Sequence, residues 1–160
     1  MPTVAVTGHM DLAERTAFLV RAALRELLAE QRGPLVGISC LAPGADSLFA
    51  EAVLEAHGSL LVVLPSRDYR AAQVRAAHAQ DFDRLLTAAE EVVVLPFETA
   101  GREAYEAANK ELVRRADLLV AVWDGSAPSG NGGGTADAVQ DARDAGVPVR
   151  VVWPEHAARG

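Results

Sequence analysis

Six apolar runs of β type recur along the chain, at residues 3–7 (TVAVT), 35–40 (LVGISC), 60–65 (LLVVLP), 91–96 (EVVVLP), 118–123 (LLVAVW) and 147–153 (VPVRVVW). They are continuous rather than alternating, the pattern of strands covered on both faces. Helical spacing fills the intervals. Within 12–31, Val20, Leu24, Leu27 and Leu28 form one stripe, and Asp11 with Glu14 has the spacing of a capping box. Leu48, Phe49, Ala52, Val53 and Ala56 form a second stripe, and residues 69–89 read as helix with a break near the middle. The last two helices are expected over 103–115 and 136–145, the second stopped by Gly146 and Pro148. Strand–helix alternation of this kind predicts right-handed βαβ crossovers. The expected fold is an α/β, Rossmann-like doubly wound sheet of about six mostly parallel strands with helices on both faces. Residues 1–154 are expected to form a single domain, and 155–160 a fraying tail.

Composition narrows the classes. Of 160 residues, half are hydrophobic and 23% charged, which suits one globular domain. No apolar run is long enough to span a bilayer, so no membrane partner is expected. The opening MPTVAVTG starts directly in a strand pattern, and Cys40 is the single cysteine, so a cytoplasmic protein is expected. A net charge of −7 argues against a nucleic-acid partner. His9, His57, His78, His156 and Cys40 show no metal-ligand spacing, and no metal is expected.

Ligands of such sheets bind at the carboxyl ends of the strands. Three loops there are unusual: TGHMD (7–11), CLAPGAD (40–46) and DGSAPSGNGGGTAD (124–137). The last raises the question of what must approach its backbone so closely. Glycines admit positive φ, and the helix that follows presents unpaired amides, so Gly132, Gly133 and Gly134 can cradle a phosphate. Thr135 can cap the helix or bond the same anion; a plain surface loop is the competing explanation. Because the loop reads as exposed, a side chain at Gly133 is expected to leave stability nearly unchanged. No Walker A lysine accompanies these glycines, and no GxGxxG follows the first strand. Gly8 and His9 end that strand, where His9 can meet a phosphate or base, or a neighbouring loop carbonyl. Asp46 opens the second helix beside Gly44. It either complements the helix dipole or accepts from ribose hydroxyls or a base amine. Asn109 and Lys110 sit on a helix whose exposed face can equally explain them.

VAVTGHMD, ISCLAPGADSLFAEAVL, AANKELVRRADLLVAVWDG and GNGGGTADAV, in this order and across nearly the whole chain, resemble the SLOG superfamily of Rossmann-like proteins. That superfamily includes DNA-processing protein A and the LOG-type phosphoribohydrolases. The resemblance places Gly44 and Asp46 on the glycine and aspartate of a GLAxGID-like segment. It also sets residues 130–135 on the start of the PGGxGTxxE motif of the LOG enzymes. It implies a nucleotide or nucleotide derivative as ligand, held as ligand rather than cofactor, and homodimers formed through helices beside the site. Three departures bear on chemistry. The motif's catalytic glutamate falls on Ala138, its arginine falls on Asn109 ahead of the matched Lys110, and Met10 stands where related small proteins carry arginine. Asp137 is the nearest replacement carboxylate, one residue short. The reading is therefore a nucleotide-binding domain with its phosphate on loop 130–135. N-glycosidase action on nucleoside 5'-monophosphates is the alternative, and catalysis is left open.

Overall fold

A computed structural model describes residues 2–128, 130 and 132–160. In chain order these form β1 (Thr3–Gly8), α1 (Glu14–Ala29), β2 (Val36–Ser39), α2 (Ala45–Glu55), β3 (Ser59–Leu64), α3 (Tyr69–Gln73), α4 (Ala76–Ala88), β4 (Glu91–Val94), α5 (Arg102–Arg115), β5 (Leu118–Val122), α6 (Thr135–Asp144) and β6 (Val149–Val151). The strands make one sheet in the order β4-β3-β2-β1-β5-β6, every neighbouring pair parallel. The break expected within 69–89 falls between α3 and α4, at Val74 and Arg75.

Alternation along each strand sorts the core into two layers. Ala5, Ile38, Leu61 and Leu119, in register across β1, β2, β3 and β5, face Ala108 and Leu112 of α5 and Ala138 and Ala142 of α6. Val4, Val6, Val120 and Val122 point the other way, onto α1 and α2 through Val20, Leu24, Phe49 and Val53. A second cluster on that side joins Leu60 and Val62 to Phe82 and Leu85 of α4. Phe49 is fully buried, and its truncation to alanine would cost about 3–5 kcal/mol.

Two local expectations fail for nonlocal reasons. The run 91–96 reads as a strand covered on both faces, yet β4 is an edge strand that leaves Val92 and Val94 exposed. The Asp11–Glu14 capping box does not form, because α1 is capped at Ala13 without a side-chain bond. Asp11 instead holds Arg159, at 2.9 and 3.0 Å. That ion pair belongs to a returning C-terminus. Arg159 bridges Leu12, the Ala158 carbonyl accepts from the Ala13 amide at 3.1 Å, and the Ala158 amide donates to Thr16 Oγ1 at 2.7 Å. The residues expected to fray are thus bonded to the start of α1.

The strand order locates the site. From β1 the chain builds outward through β2, β3 and β4, then crosses back to β5 and β6. This reversal beside β1 opens a crevice at the carboxyl ends of β1 and β5.

Candidate functional site

One wall of the crevice is built where β1 meets α2. Gly8 ends β1 where a Cβ would lie 2.4 Å from Ala45 Cβ and 2.8 Å from Val122 Cβ. His9 follows, 8% exposed, with its amide donating to the Val122 carbonyl at 3.1 Å. Its Nε2 lies 3.1 Å from both the Asp124 amide nitrogen and Asp124 Oδ1, and its ring packs edge-on against Trp153. His9 therefore ties the loop after β1 to the loop after β5. Bonds to the Ser126 hydroxyl and amide, with His9 adding to them, lower the Asp124 pKa to about 2.

Gly44 has φ 77° and ψ −126°, and a Cβ there would lie 2.7 Å from the His9 carbonyl oxygen. This glycine lets α2 start against the loop after β1. Two residues on, Asp46 is 8% exposed. Its Oδ2 accepts from the Ala42 amide at 3.3 Å, and its backbone carbonyl accepts from Ser39 Oγ at 3.0 Å. Burial raises the Asp46 pKa to about 7, only partly offset by the Ala42 bond. The neighbouring Cys40 thiol is pushed well above its ordinary range by burial and then by Asp46, and burial likewise raises the Tyr69 phenol.

The opposite wall answers the question posed by the glycines. Gly132 and Gly133 have φ of 75° and 69°. A Cβ on Gly133 would fall 2.2 Å from Tyr105 Cβ, and one on Gly132 would fall 2.6 Å from Arg102 Cγ. Helix α5 is what approaches this backbone. The expectation that a side chain at Gly133 leaves stability unchanged is corrected accordingly, since valine there must displace α5. Asn109, 7% exposed rather than on a solvated face, donates from Nδ2 to the Gly134 carbonyl at 3.2 Å and fastens the same turn. Lys110 is exposed and lies 3.4 Å from Asp141. Thr135 is the first residue of α6 and Gly134 its cap, so the threonine is not the N-cap. Asn131 of loop 130–135 lies outside the described residues.

Between these walls is a cleft of about 830 Å³. Gly8, His9, Asp46, Asn109, Gly132, Gly133, Gly134 and Thr135 all line it. Two candidates do not. Gly44 faces a neighbouring pocket of about 540 Å³ between α1, α2 and α4. The Asp137 carboxylate turns back to accept the Gly134 amide at 3.3 Å. The sequence reading missed Tyr69, Tyr105, Arg75, Arg102 and Arg159, which also line the cleft. Arg102, Tyr105 and Asn109 share one face of α5 at helical spacing, so Asn109 could have led to the other two. No local pattern points to Arg159, which arrives with the C-terminus. Among the described residues, no cluster of His, Cys, Asp and Glu is placed to hold a metal ion, and no helix is long and apolar enough to cross a membrane.

Fold and cleft together define a Rossmann-like α/β domain with an open cleft at the strand-order switch. No family model and no curated protein matches the sequence. Solved structures do. DNA processing protein A from Streptococcus pneumoniae is 20% identical, with TM-score 0.69 over 98% of this chain and 52% of that one. The chain thus spans about half the length of that protein. DNA processing protein A from Helicobacter pylori is 16% identical, with TM-score 0.68 over 99% and 68%. The molybdenum cofactor binding protein of Rippkaea orientalis is 18% identical, with TM-score 0.59 over 96% and 77%. This chain shares the Rossmann-like α/β fold of these proteins.

The comparison corrects one expectation. Nucleic acid was excluded on net charge, yet the Helicobacter pylori protein of this fold has a single-stranded DNA binding mode. Net charge sums over the whole surface, whereas binding responds to the local field. Here Arg75, Arg102 and Arg159 line the cleft of an acidic protein.

Proposed function

We propose that the cleft binds a nucleotide or a nucleotide-derived ligand. Its phosphate lies along Gly132 to Thr135 beside Arg102, and its base and sugar lie toward Tyr105, Tyr69 and Asp46. One observation carries this reading. At the switch beside β1, a positive-φ glycine turn, the N-terminus of α6 and Arg102 meet in a cleft whose other side holds buried aromatic and polar groups. Helix amides and a guanidinium are complementary to phosphate, and aromatic rings suit a planar base. The molybdenum cofactor and DNA-binding proteins of the same fold support a ligand-binding role over a purely structural one.

N-glycosidic cleavage draws no support from Asp137, whose carboxylate is engaged with the Gly134 amide outside the cleft lining. The ligand-binding reading is tested by calorimetry with AMP, GMP, CMP and UMP, each against its nucleoside, followed by chromatography for free base. At least one monophosphate should bind tenfold or more tightly than its nucleoside, about 1.4 kcal/mol, and Arg102→Ala should erase most of that difference. Equal affinities, or no binding by any of the eight compounds, would refute the phosphate placement. Release of free base at about one turnover per second would favour the glycosidase instead.

A further inference from the structure

We propose that Asp46 is the group that reads the uncharged part of the ligand. On this assignment its cleft-facing oxygen accepts a hydrogen bond from a base N–H or a ribose hydroxyl, and the ligand binds with loss of the Asp46 proton. The inference rests on the proposed nucleotide-like ligand and identifies the second contact that would hold it.

The geometry carries the argument. Asp46 is more than nine-tenths buried and yet lines the cleft. Its Oδ2 is taken by the Ala42 amide. No partner for Oδ1 occurs among the described residues, and no buried side-chain oxygen or nitrogen among them lacks one, so Oδ1 opens onto the cleft. A buried carboxyl with one satisfied oxygen leaves hydrogen-bonding capacity for a ligand to complete.

The groups around it determine the sign. The Cys40 thiol at the end of β2 and the Tyr69 phenol on α3 lie closest in charge, and both are held neutral by burial. His9 after β1, Arg75 before α4, and Arg102 and Tyr105 on α5 share the cleft. His78 of α4 bonds the Leu41 carbonyl at 3.0 Å and approaches Ser47 Oγ at 3.4 Å instead. Among the described residues, no cationic side chain pairs with the Asp46 carboxylate. Its charged form is therefore under-stabilised in the free protein, which matches a pKa near 7. A ligand N–H or O–H placed on Oδ1 favours the carboxylate, lowers that pKa, and couples binding to proton release.

The test is calorimetry with the tightest-binding of AMP, GMP, CMP and UMP at pH 6, 7 and 8, in buffers of different ionisation enthalpy. With a free-protein pKa near 7, binding should release close to one proton at pH 6 and about a tenth at pH 8, and affinity should rise about tenfold between them. The ligand phosphate titrates near 6, so Asp46→Asn supplies the reference: it keeps the phosphate part of the pH slope and loses the rest. Proton counts and slopes that coincide in the two proteins would overturn the assignment while leaving nucleotide binding intact. Proton uptake in excess of the Asn variant, or affinity that falls with pH relative to it, would overturn it as well. If none of the four nucleotides binds, the nucleotide reading fails and this assignment falls with it. If the variant folds poorly, the count at pH 7 on the unaltered protein still decides. A phosphate titrating near 6 gives up about a tenth of a proton there, and Asp46 adds about half.

Discussion

Helices α2 and α6 both begin at the cleft with a glycine cap and an aspartate in the first turn, yet the two aspartates do opposite things. Asp137 is the third residue of α6 and reaches back to the amide of its own cap. Asp46 is the second residue of α2, and its free oxygen opens into the cleft. One position along a helix turns a side chain by about 100°. The caps differ as sharply. Gly44 is held at φ 77° under the backbone of His9 and Met10, whereas Gly134 has φ −81° and would receive a Cβ with nothing nearer than 3.9 Å. The lesson is that a Gly–Asp helix start is not itself a ligand site. Its surroundings decide which atom is presented and which is consumed.

Substitutions at the two helix starts can break this contrast. The largest effect is expected from Gly44→Ala, which meets two carbonyl oxygens at under 3 Å and a strained backbone. It should cost about 4 kcal/mol in chemical denaturation; a loss below about 1 kcal/mol would show that the α2 start is as permissive as that of α6. Next comes Asp46→Asn, whose effect depends on pH. The folded pKa of about 7 lies above the ordinary 3.8. The stability linked to the neutral carboxyl is therefore full below about pH 4, lost as pH rises to 7, and flat beyond. Relative to the unaltered protein, the variant should gain on the order of 3–4 kcal/mol between pH 4 and pH 8. A pH-independent difference would contradict the burial argument.

A smaller loss, about 1 kcal/mol, is expected for Asp137→Ala through the vacated Gly134 amide. Its ligand affinity should change less than tenfold, because the carboxylate lies outside the cleft lining. A complete loss of binding would restore Asp137 to the site. The smallest effect belongs to Gly134→Ala, expected within about 0.5 kcal/mol of the unaltered protein by thermal melting. A cost near that of Gly44→Ala would erase the contrast between the two helix starts.

What the sequence determined by itself was the local layer. Continuous apolar runs and period-3.6 stripes placed the strands and helices, including the break between α3 and α4. Their alternation implied a parallel sheet whose unusual loops gather at one end. These features follow from each segment's own need to bury apolar residues and satisfy its backbone, which neighbouring residues largely decide. Everything that distinguished one polar or glycine residue from another came from contacts across the chain. Tyr105, nearly thirty residues away, sets the demand for glycine at 133, and the carbonyl of His9 sets it at Gly44. Arg159 takes Asp11 from the cap of α1 and joins the cleft lining. Edge position leaves Val92 and Val94 of β4 exposed. Burial between β2, α2 and α3 turns Asp46 from a surface dipole partner into a carboxyl that titrates near neutrality. Approach distance and desolvation are set by which elements the fold brings together, and no local pattern carries them.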